Sequence, residues 1–118
     1  MLTVCYILDV MYNIVVATLD PIGLNEDQIS IQNTALDFAT KNVLPYSSEW
    51  DKKHFFPVET YREAAKLGFA ALYATPDYGG CGLGRLEAST IFEALAYGCP
   101  SFSAYLTVHN MVTWIIDT

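Results

Sequence analysis

Positive charge is scarce in this chain. Of its 118 residues only 6 are Lys or Arg, against 13 Asp or Glu, and the formal net charge is −7. A protein that binds nucleic acid gains much of its affinity from cations that neutralise phosphates, so the composition excludes nucleic acid as a partner. Charged residues make up 16% of the chain and aromatic residues 14%, which also excludes intrinsic disorder.

Ordinary soluble domains carry about 25% charged residues. This chain therefore has fewer charged side chains than the surface of a domain usually displays. Hydrophobic residues reach 53%. A single domain of this length can bury roughly two-thirds of its unfolded surface. We therefore expect part of the outside of the domain to be covered by something else: a membrane, a partner or the rest of a larger protein.

The chain has too few cysteine residues for a disulfide framework. Cys5, Cys81 and Cys99 are odd in number and far apart, with no C-x-x-C pair and no His at ligand spacing. Such spacing disfavours both a disulfide scaffold and a zinc site. We expect three buried or half-buried thiols in a reducing compartment and no metal ligand.

The amino-terminal segment lacks basic residues, and the first one in the chain is Lys41. Secretory signals need a basic start and mitochondrial presequences are rich in Arg and Ser, so residues 1–19 match neither pattern. Asp9 and Asn13 interrupt the apolar run that a membrane span requires. We interpret residues 1–19 as an apolar extension, with peripheral membrane attachment as a minor alternative.

A first helix is predicted after a turn at residues 20–23. Asn25 can cap its free N–H groups and Gln28 stands at the capping-box position. An apolar face at helical spacing continues to Val43, and Pro45 is expected to end the helix. Residues 46–56 are then predicted to form a polar connection that carries large aromatic side chains.

Three further helices follow in the pattern. The second begins at Pro57, ends at Gly68 and is expected to turn four side chains inward: Val58, Tyr61, Ala65 and Leu67. The third runs over residues 85–97, and the fourth begins near Ser101 or Ser103 and reaches the carboxyl end. No alternating strand pattern and no internal repeat is found, which predicts an all-α fold.

A glycine cluster, Gly79, Gly80, Gly82 and Gly84, precedes the third helix. Dinucleotide loops need G-x-G-x-x-G after a strand and Walker loops need Gly-Lys-Ser/Thr, and neither occurs here. The cluster therefore predicts a tight interhelical loop in preference to a phosphate site.

Residues that could perform catalysis are few. His54 is expected to be exposed in its connection, and His109 is expected to be a hydrogen-bonded core residue on the fourth helix. No Ser, His and Asp grouping rises above chance. We predict no catalytic residue.

The fourth helix is nearly all apolar and is therefore expected to be buried almost all round. Ser103, Thr107 and Asn110 form one narrow polar stripe along it. In one interpretation the hydroxyls bond carbonyls one turn back and Asn110 pairs with a neighbouring helix. In the other, the stripe lines a ligand cavity walled by Leu106 and Met111.

Several short motifs together resemble the N-terminal helical domain of the acyl-CoA dehydrogenases. The likeness covers residues 20–118 in unbroken order, while residues 1–19 do not match. The motifs are Leu24 to Gln28, Glu49 to Asp51, Phe56-Pro57, Leu67 to Phe69, Pro76 to Leu83, Ile91 to Ala96, His109 to Met111 and Trp114 to Asp117.

The resemblance implies an up-and-down helical domain of about four main helices. Family members are flavoprotein oxidoreductases with a helical, a β-barrel-like and a second helical domain. A carboxylate removes the α-proton of an acyl-CoA, the β-hydride passes to FAD, and electron-transfer flavoprotein accepts the electrons. The flavin-binding segment and the carboxylate belong to the middle β and C-terminal helical domains, which are absent from this sequence. We therefore expect an incomplete enzyme that by itself holds no FAD and is inactive.

The resemblance also implies a site. The last helix of this domain forms part of the acyl-pocket wall, which makes Ser103, Leu106 and Thr107 candidate pocket residues. The substrate expected is a short branched-chain acyl-CoA such as isobutyryl-CoA, in valine catabolism. A homotetramer in the mitochondrial matrix is implied for the full-length enzyme, with a cytoplasmic location as the alternative because no presequence is recognisable. The alternative function is a non-enzymatic helical module that docks through apolar faces.

Overall fold

The computed structural model describes residues 23–118, and this part of the chain consists of helices and connecting loops, with no strand. Residues 1–22 lie outside it, together with the predictions made for the apolar extension, Cys5 and the turn at Asp20. The helices are α1 (Glu26–Phe38), a π-helical turn (Ala39–Val43), α2 (Leu44–Lys53), α3 (Val58–Lys66), a 3₁₀ turn (Pro76–Tyr78), α4 (Arg85–Gly98) and α5 (Pro100–Asp117). Because α1, the π turn and α2 are continuous, four main helical segments result, and the all-α prediction is confirmed.

The start of α1 has the capping box that the sequence predicts. Asn25 Oδ1 accepts a hydrogen bond from the Gln28 N–H at 2.9 Å, and Gln28 Oε1 accepts one from the Asn25 N–H at 3.0 Å. The two bonds satisfy backbone N–H groups that a helix start leaves without intrahelical partners. Glu26 and Asp27 lie in the first turn, where negative charge is favourable.

Pro45 does not end the first helical segment, so that prediction is wrong. The chain widens at residues 39–43, where the Leu44 N–H donates to the Ala39 carbonyl, and α2 begins directly afterwards. Pro45 then lies in the first turn of α2, a position that proline often occupies. Residues 46–53 are consequently helical and not a polar connection, and α2 ends at His54 with φ 51°.

The core lies between three helices, with α4 packed against α1 on one side and α5 on the other. Small side chains at the α1–α4 contact allow the backbones to approach closely. A Cβ added at Gly98, for example, would lie 3.0 Å from the Ala39 carbonyl oxygen and from Val43 Cβ. The main buried hydrophobic residues are Ala35, Phe38, Ala39, Val43, Phe69, Leu72, Ala88, Ile91, Ala94, Leu95, Phe102 and Leu106.

α3 contacts this core along a narrow edge only. Ala64 is its buried residue and Tyr61 packs against the core cluster. Val58, Ala65 and Leu67 are exposed, which contradicts the prediction that they face inward. Two ion pairs lie on the solvent side of α3 and join Glu59 to Arg62 and Glu63 to Lys66.

The fourth predicted helix, α5, is buried on one side only. Phe102, Ser103, Leu106 and Asn110 face inward, and most of the remaining side chains are exposed. The expectation of burial nearly all round is therefore wrong for this domain, because α4 and the loop between residues 67 and 84 cover a single side of the helix. Within residues 23–118, no helix combines the length and the hydropathy needed to cross a membrane.

Candidate functional site: the inner side of α5 and its neighbours

The glycine cluster lies in a loop that folds back on itself between α3 and α4. The N–H groups of Cys81 and Leu83 donate to the carbonyls of Ala71 and Leu72 at 2.9 and 2.8 Å. Gly80 passes so close to Ala74 that an added Cβ would collide with its carbonyl oxygen. The residues thus form the tight interhelical loop that the sequence predicts.

Asn110 joins this loop to α5. Its side chain is completely buried, and Oδ1 accepts a hydrogen bond from the Leu72 N–H at 2.7 Å. Nδ2 donates to the carbonyl oxygens of Phe69 and Leu106, both at 2.8 Å. The carboxamide therefore satisfies backbone groups of the loop that would otherwise be buried without a partner.

Two further contacts tie the carboxyl half of α5 to the same loop. The Asp117 carboxylate accepts from the Thr75 N–H at 3.0 Å and from the Thr75 hydroxyl at 3.3 Å. The Arg85 guanidinium lies over the Tyr73 ring at 4.0 Å and over the Trp114 ring at 4.7 Å. With Asn110, these contacts hold α5 and the loop as one unit.

The three predicted pocket residues occupy different environments. Ser103 is buried, and its hydroxyl donates to the Phe92 carbonyl of α4 at 2.7 Å. Thr107 is exposed and bonds the Ser103 carbonyl at 3.0 Å. Leu106 is buried between them. Their place in an acyl-pocket wall stays a prediction.

The polar stripe is satisfied largely as the first interpretation expects, with two differences in partner. The Thr107 hydroxyl bonds one turn back, as predicted. Ser103 instead reaches across to α4, and Asn110 pairs with the loop and with the Leu106 carbonyl of its own helix, not with a neighbouring helix. Met111 is exposed.

A cluster of aromatic rings lines a groove of about 590 Å³ between α2, α3 and the start of α5. The rings of Tyr61 and Phe102 stack with centroids 4.2 Å apart and planes 3° apart. Trp50 stacks on Phe102 at 6.4 Å, and Phe56 meets the Tyr105 ring edge-to-face at 4.9 Å. The i,i+4 spacing of Tyr46 and Trp50 was a signal that this region is helical.

The Tyr61 phenol is the group that this groove perturbs most. Burial raises its pKa to about 12, and the neighbouring Cys99 thiol and Tyr105 phenol raise it further by disfavouring a second negative charge. The group is therefore a neutral phenol at physiological pH. It can donate a hydrogen bond but does not act as a base.

A smaller cavity of about 220 Å³ lies beside the groove and is bounded by Leu106, Tyr105, Arg62 and His109. His109 is exposed at its rim, so the expectation of a core histidine is wrong. His54 is exposed as predicted. Among residues 23–118, no three His, Cys, Asp or Glu side chains are grouped so that they could hold a metal ion.

The described residues do not fit the diphosphate of a flavin dinucleotide. The N–H groups of Gly80, Cys81 and Gly82 donate to carbonyls of their own loop, so these three donors are not available to a phosphate. Four of the cations are paired within helices, and Arg85 is enclosed by rings. The groove and the cavity are lined mostly by apolar surface, although Asp51, His54 and Arg62 also border them. Such a lining suits the packing of an apolar group.

Comparison with known proteins identifies the family to which this helical domain is similar. The family model described as "Acyl-CoA dehydrogenase, N-terminal domain" matches residues 25–118. The mitochondrial isobutyryl-CoA dehydrogenase of Bos taurus is 52% identical over 104 residues, which cover 87% of this chain and 25% of that protein. The corresponding protein of Dictyostelium discoideum is 48% identical over 96 residues, 81% of this chain and 23% of the relative.

A further relative has lower sequence identity and carries a different name. The mitochondrial short-chain specific acyl-CoA dehydrogenase of Rattus norvegicus is 30% identical over 89 residues, which cover 75% of this chain and 22% of that protein. The chain thus spans about a quarter of the length of these relatives. The extent of the family match shows that this chain belongs to the acyl-CoA dehydrogenase family, in which residues 25–118 form the N-terminal domain.

Proposed function

We propose that the chain supplies the N-terminal domain of an FAD-dependent oxidoreductase that removes hydrogen from the α and β carbons of a short branched-chain acyl-CoA. The observation that carries this proposal is the difference in identity between relatives. Two proteins named isobutyryl-CoA dehydrogenase are 52% and 48% identical to this chain, against 30% for the short-chain specific enzyme. Isobutyryl-CoA, an intermediate of valine breakdown, is the substrate that these names favour.

Within such an enzyme, this domain would form part of the wall around the acyl chain. Leu106 supports that role, because it is buried and borders the cavity of about 220 Å³. Ser103 and Thr107 lie one turn apart on the same helix, and their hydroxyls are already occupied by carbonyl oxygens. They would therefore present carbon atoms and shape to the acyl group, and would help to exclude water.

The redox chemistry is not assigned to the described residues. FAD would accept the hydride, and since residues 23–118 do not fit its diphosphate, both the flavin site and the catalytic carboxylate are expected in the part of the enzyme that follows this domain. The mitochondrial names of the relatives favour the matrix as the location. Electron-transfer flavoprotein and a homotetrameric state are proposed on the family resemblance.

A chimeric enzyme tests the substrate and the wall together. Residues 25–118 would replace the matching segment of the bovine relative, and kcat/KM would be compared for isobutyryl-CoA and butyryl-CoA. We expect a preference for isobutyryl-CoA that changes about tenfold in Thr107→Val, since one methyl group in an apolar pocket changes selectivity by at least that factor.

Thr113→Val is the matched control, because Thr113 bonds the carbonyl one turn back on the same helix as Thr107 does, but six residues further along. It should leave the selectivity unchanged. A chimera that prefers butyryl-CoA would contradict the proposed substrate. If the two threonine substitutions change the selectivity equally, the proposed place of Thr107 in the acyl-pocket wall is contradicted.

A further inference from the structure

The cavity of about 220 Å³ is bordered by α3, by the loop that follows α3 and by α5. Its width therefore depends on how far α3 and the loop lie from α5. The residues that border it include Val58, Tyr61 and Ala65 of α3, Ala70 of the loop, and Tyr105, Leu106 and His109 of α5.

Aromatic contacts join α3 to α5 on one side of this cavity. The Tyr61 ring stacks on Phe102 with centroids 4.2 Å apart, and its centroid lies 4.6 Å from that of Tyr105. Tyr61 belongs to the first turn of α3. These ring contacts do not involve Ala70, so the loop side of the cavity is held by other bonds.

Asn110 holds the loop side. Its Nδ2 donates to the Phe69 carbonyl at 2.8 Å, and its Oδ1 accepts from the Leu72 N–H at 2.7 Å. These two bonds flank Ala70 along the chain. Nδ2 also donates to the Leu106 carbonyl at 2.8 Å. One carboxamide thus binds backbone on either side of Ala70 and the backbone of Leu106, and these two residues border the cavity from the loop and from α5.

Asn110 acts on the cavity from outside. Its side chain is fully buried, and among residues 23–118 those that border the cavity do not include it. The Phe69 N–H donates to the Ala64 carbonyl at 3.1 Å, so the loop segment that Asn110 holds is bonded directly to the end of α3. A change at Asn110 therefore alters the spacing between α5 and the loop without removing any group that could touch a ligand in the cavity.

We propose that Asn110 is a positioning residue for the acyl pocket: by holding Ala70 and Leu106 at a fixed separation, it sets the shape of the acyl group that fits. This inference rests on the proposed function, in which Leu106 belongs to the acyl-pocket wall, but not on which acyl-CoA is preferred. A displacement of about 1 Å in an active site can change a rate on the order of a hundredfold, so a support of this kind can determine selectivity.

Asn110→Leu in the chimeric enzyme described above tests this role. The variant keeps the volume of the side chain but removes all three hydrogen bonds. The values of kcat/KM for isobutyryl-CoA and butyryl-CoA would be measured in one preparation. Unfolded molecules lower both values by the same factor, so their ratio reports the shape of the pocket and not the amount of folded enzyme. We expect the ratio to change about tenfold, mainly through KM, since the wall contacts the acyl group equally before and during the reaction.

Val43→Ala is the matched control for a loss of stability. Val43 is fully buried at the contact between α1 and α4, where it packs against Gly98. Truncating it leaves a void in the core and destabilises the domain. Among the described residues that border the cavity, Val43 does not occur. The ratio should therefore stay that of the unmodified chimera.

Two further variants keep the inference testable if Asn110→Leu folds poorly. Asn110→Asp has the shape of the original side chain and retains an acceptor for the Leu72 N–H, but it loses the donor to Phe69 and Leu106. Ala70→Val keeps every bond of Asn110 and adds two methyl groups to the loop side of the cavity. Each is expected to change the ratio about tenfold, and Ala70→Val should do so against the branched substrate.

The inference is overturned if Ala70→Val leaves the ratio unchanged, or if the Asn110 variant that folds changes it no more than Val43→Ala does. A chimera that prefers butyryl-CoA, but whose ratio responds to the Asn110 variant, supports the positioning role and contradicts only the proposed substrate. If Thr107→Val changes the ratio and the variants at positions 70 and 110 do not, the positioning role alone fails.

Discussion

The side chain of Asn110 holds the backbone of Leu72, with Oδ1 accepting the Leu72 N–H at 2.7 Å. The two residues are 38 positions apart, and the bond is completely buried. Because the same carboxamide donates to Phe69, it fixes both ends of a short loop segment against α5. One side chain thus determines where the glycine loop lies relative to the helix.

Replacing Asn110 should be costly. Asn110→Leu keeps the volume but leaves the Leu72 N–H and the Phe69 carbonyl buried without partners, so we expect the free energy of unfolding to fall by about 2–4 kcal/mol. Urea unfolding monitored by circular dichroism measures the change. Thr113→Ala removes one exposed hydrogen bond on the same helix and should cost less than about 0.5 kcal/mol. Similar losses of stability in both variants would contradict the conclusion that Asn110 holds the loop against α5.

Two neighbouring glycines should respond differently to substitution. A Cβ at Gly80 collides with backbone of Ala74, which has no freedom to move aside, so Gly80→Ala should destabilise the domain by about 2–4 kcal/mol. Gly79 has φ 81° but open space around it, and Gly79→Ala should cost only about 1 kcal/mol from backbone strain. The midpoints of urea unfolding give both values. If Gly79→Ala lowers the free energy of unfolding more than Gly80→Ala does, backbone conformation and not close contact determines where this loop requires glycine.

The Glu87 carboxylate reports on the contact between α1 and α4. The hydrogen bond that Gln28 Nε2 donates at 2.8 Å is the main reason that the pKa of Glu87 lies below its usual range. A lowered carboxyl pKa stabilises the fold at neutral pH, and this contribution is lost as the pH falls through the carboxyl range. Gln28→Ala should raise the pKa of Glu87, measured by NMR titration of side-chain carboxyls.

Glu49 is an internal control for that experiment. The pKa of Glu49 is also lowered, but by the hydrogen bond and charge of Lys53 in α2, so Gln28→Ala should leave it unchanged. High salt should raise the pKa of Glu49 more than that of Glu87, since salt screens an ion pair more strongly than a bond to a neutral amide. An equal response of both carboxyls to salt would contradict the assignment of their partners.

Tyr61 should make the domain sensitive to alkali. Its pKa is about 12 in the folded protein and about 10 when exposed, so the unfolded chain loses this proton first and stability falls as the pH rises from 10 to about 12. Tyr61→Phe should remove this part of the pH dependence. Tyr78→Phe, which removes an exposed tyrosine, should retain it. Ultraviolet absorbance titrations combined with unfolding at several pH values test both.

Local signals in the sequence predict the helices well. The capping pair Asn25 and Gln28 and the stops at Gly68 and Gly98 depend on residues that are neighbours in the chain. Pro45 was misjudged because proline is compatible both with the end of one helix and with the first turn of the next. Only the widened turn before it, which has no clear sequence signal, decides between the two.

Contacts between distant elements were harder to predict. The stripe on α5 was recognised, but its partner at Asn110 is a loop, and spacing along one helix does not reveal what lies opposite. The aromatic cluster was missed because Trp50, Tyr61 and Phe102 come from three helices. Hydropathy does not show which side of α5 is exposed, since the exposed side of this helix is as apolar as the buried side.

The π turn between α1 and α2 has a consequence for sequence comparison. Each residue of an α-helix advances by about 100°, so the wider turn changes the direction in which every later side chain of α2 points. Trp50, which follows the π turn, stacks on Phe102 in the resulting orientation. The orientation of α2 is therefore encoded before the helix begins, at residues 39–43. A relative with one residue fewer at this point needs an alignment gap there, because otherwise its α2 would be compared one position out of step.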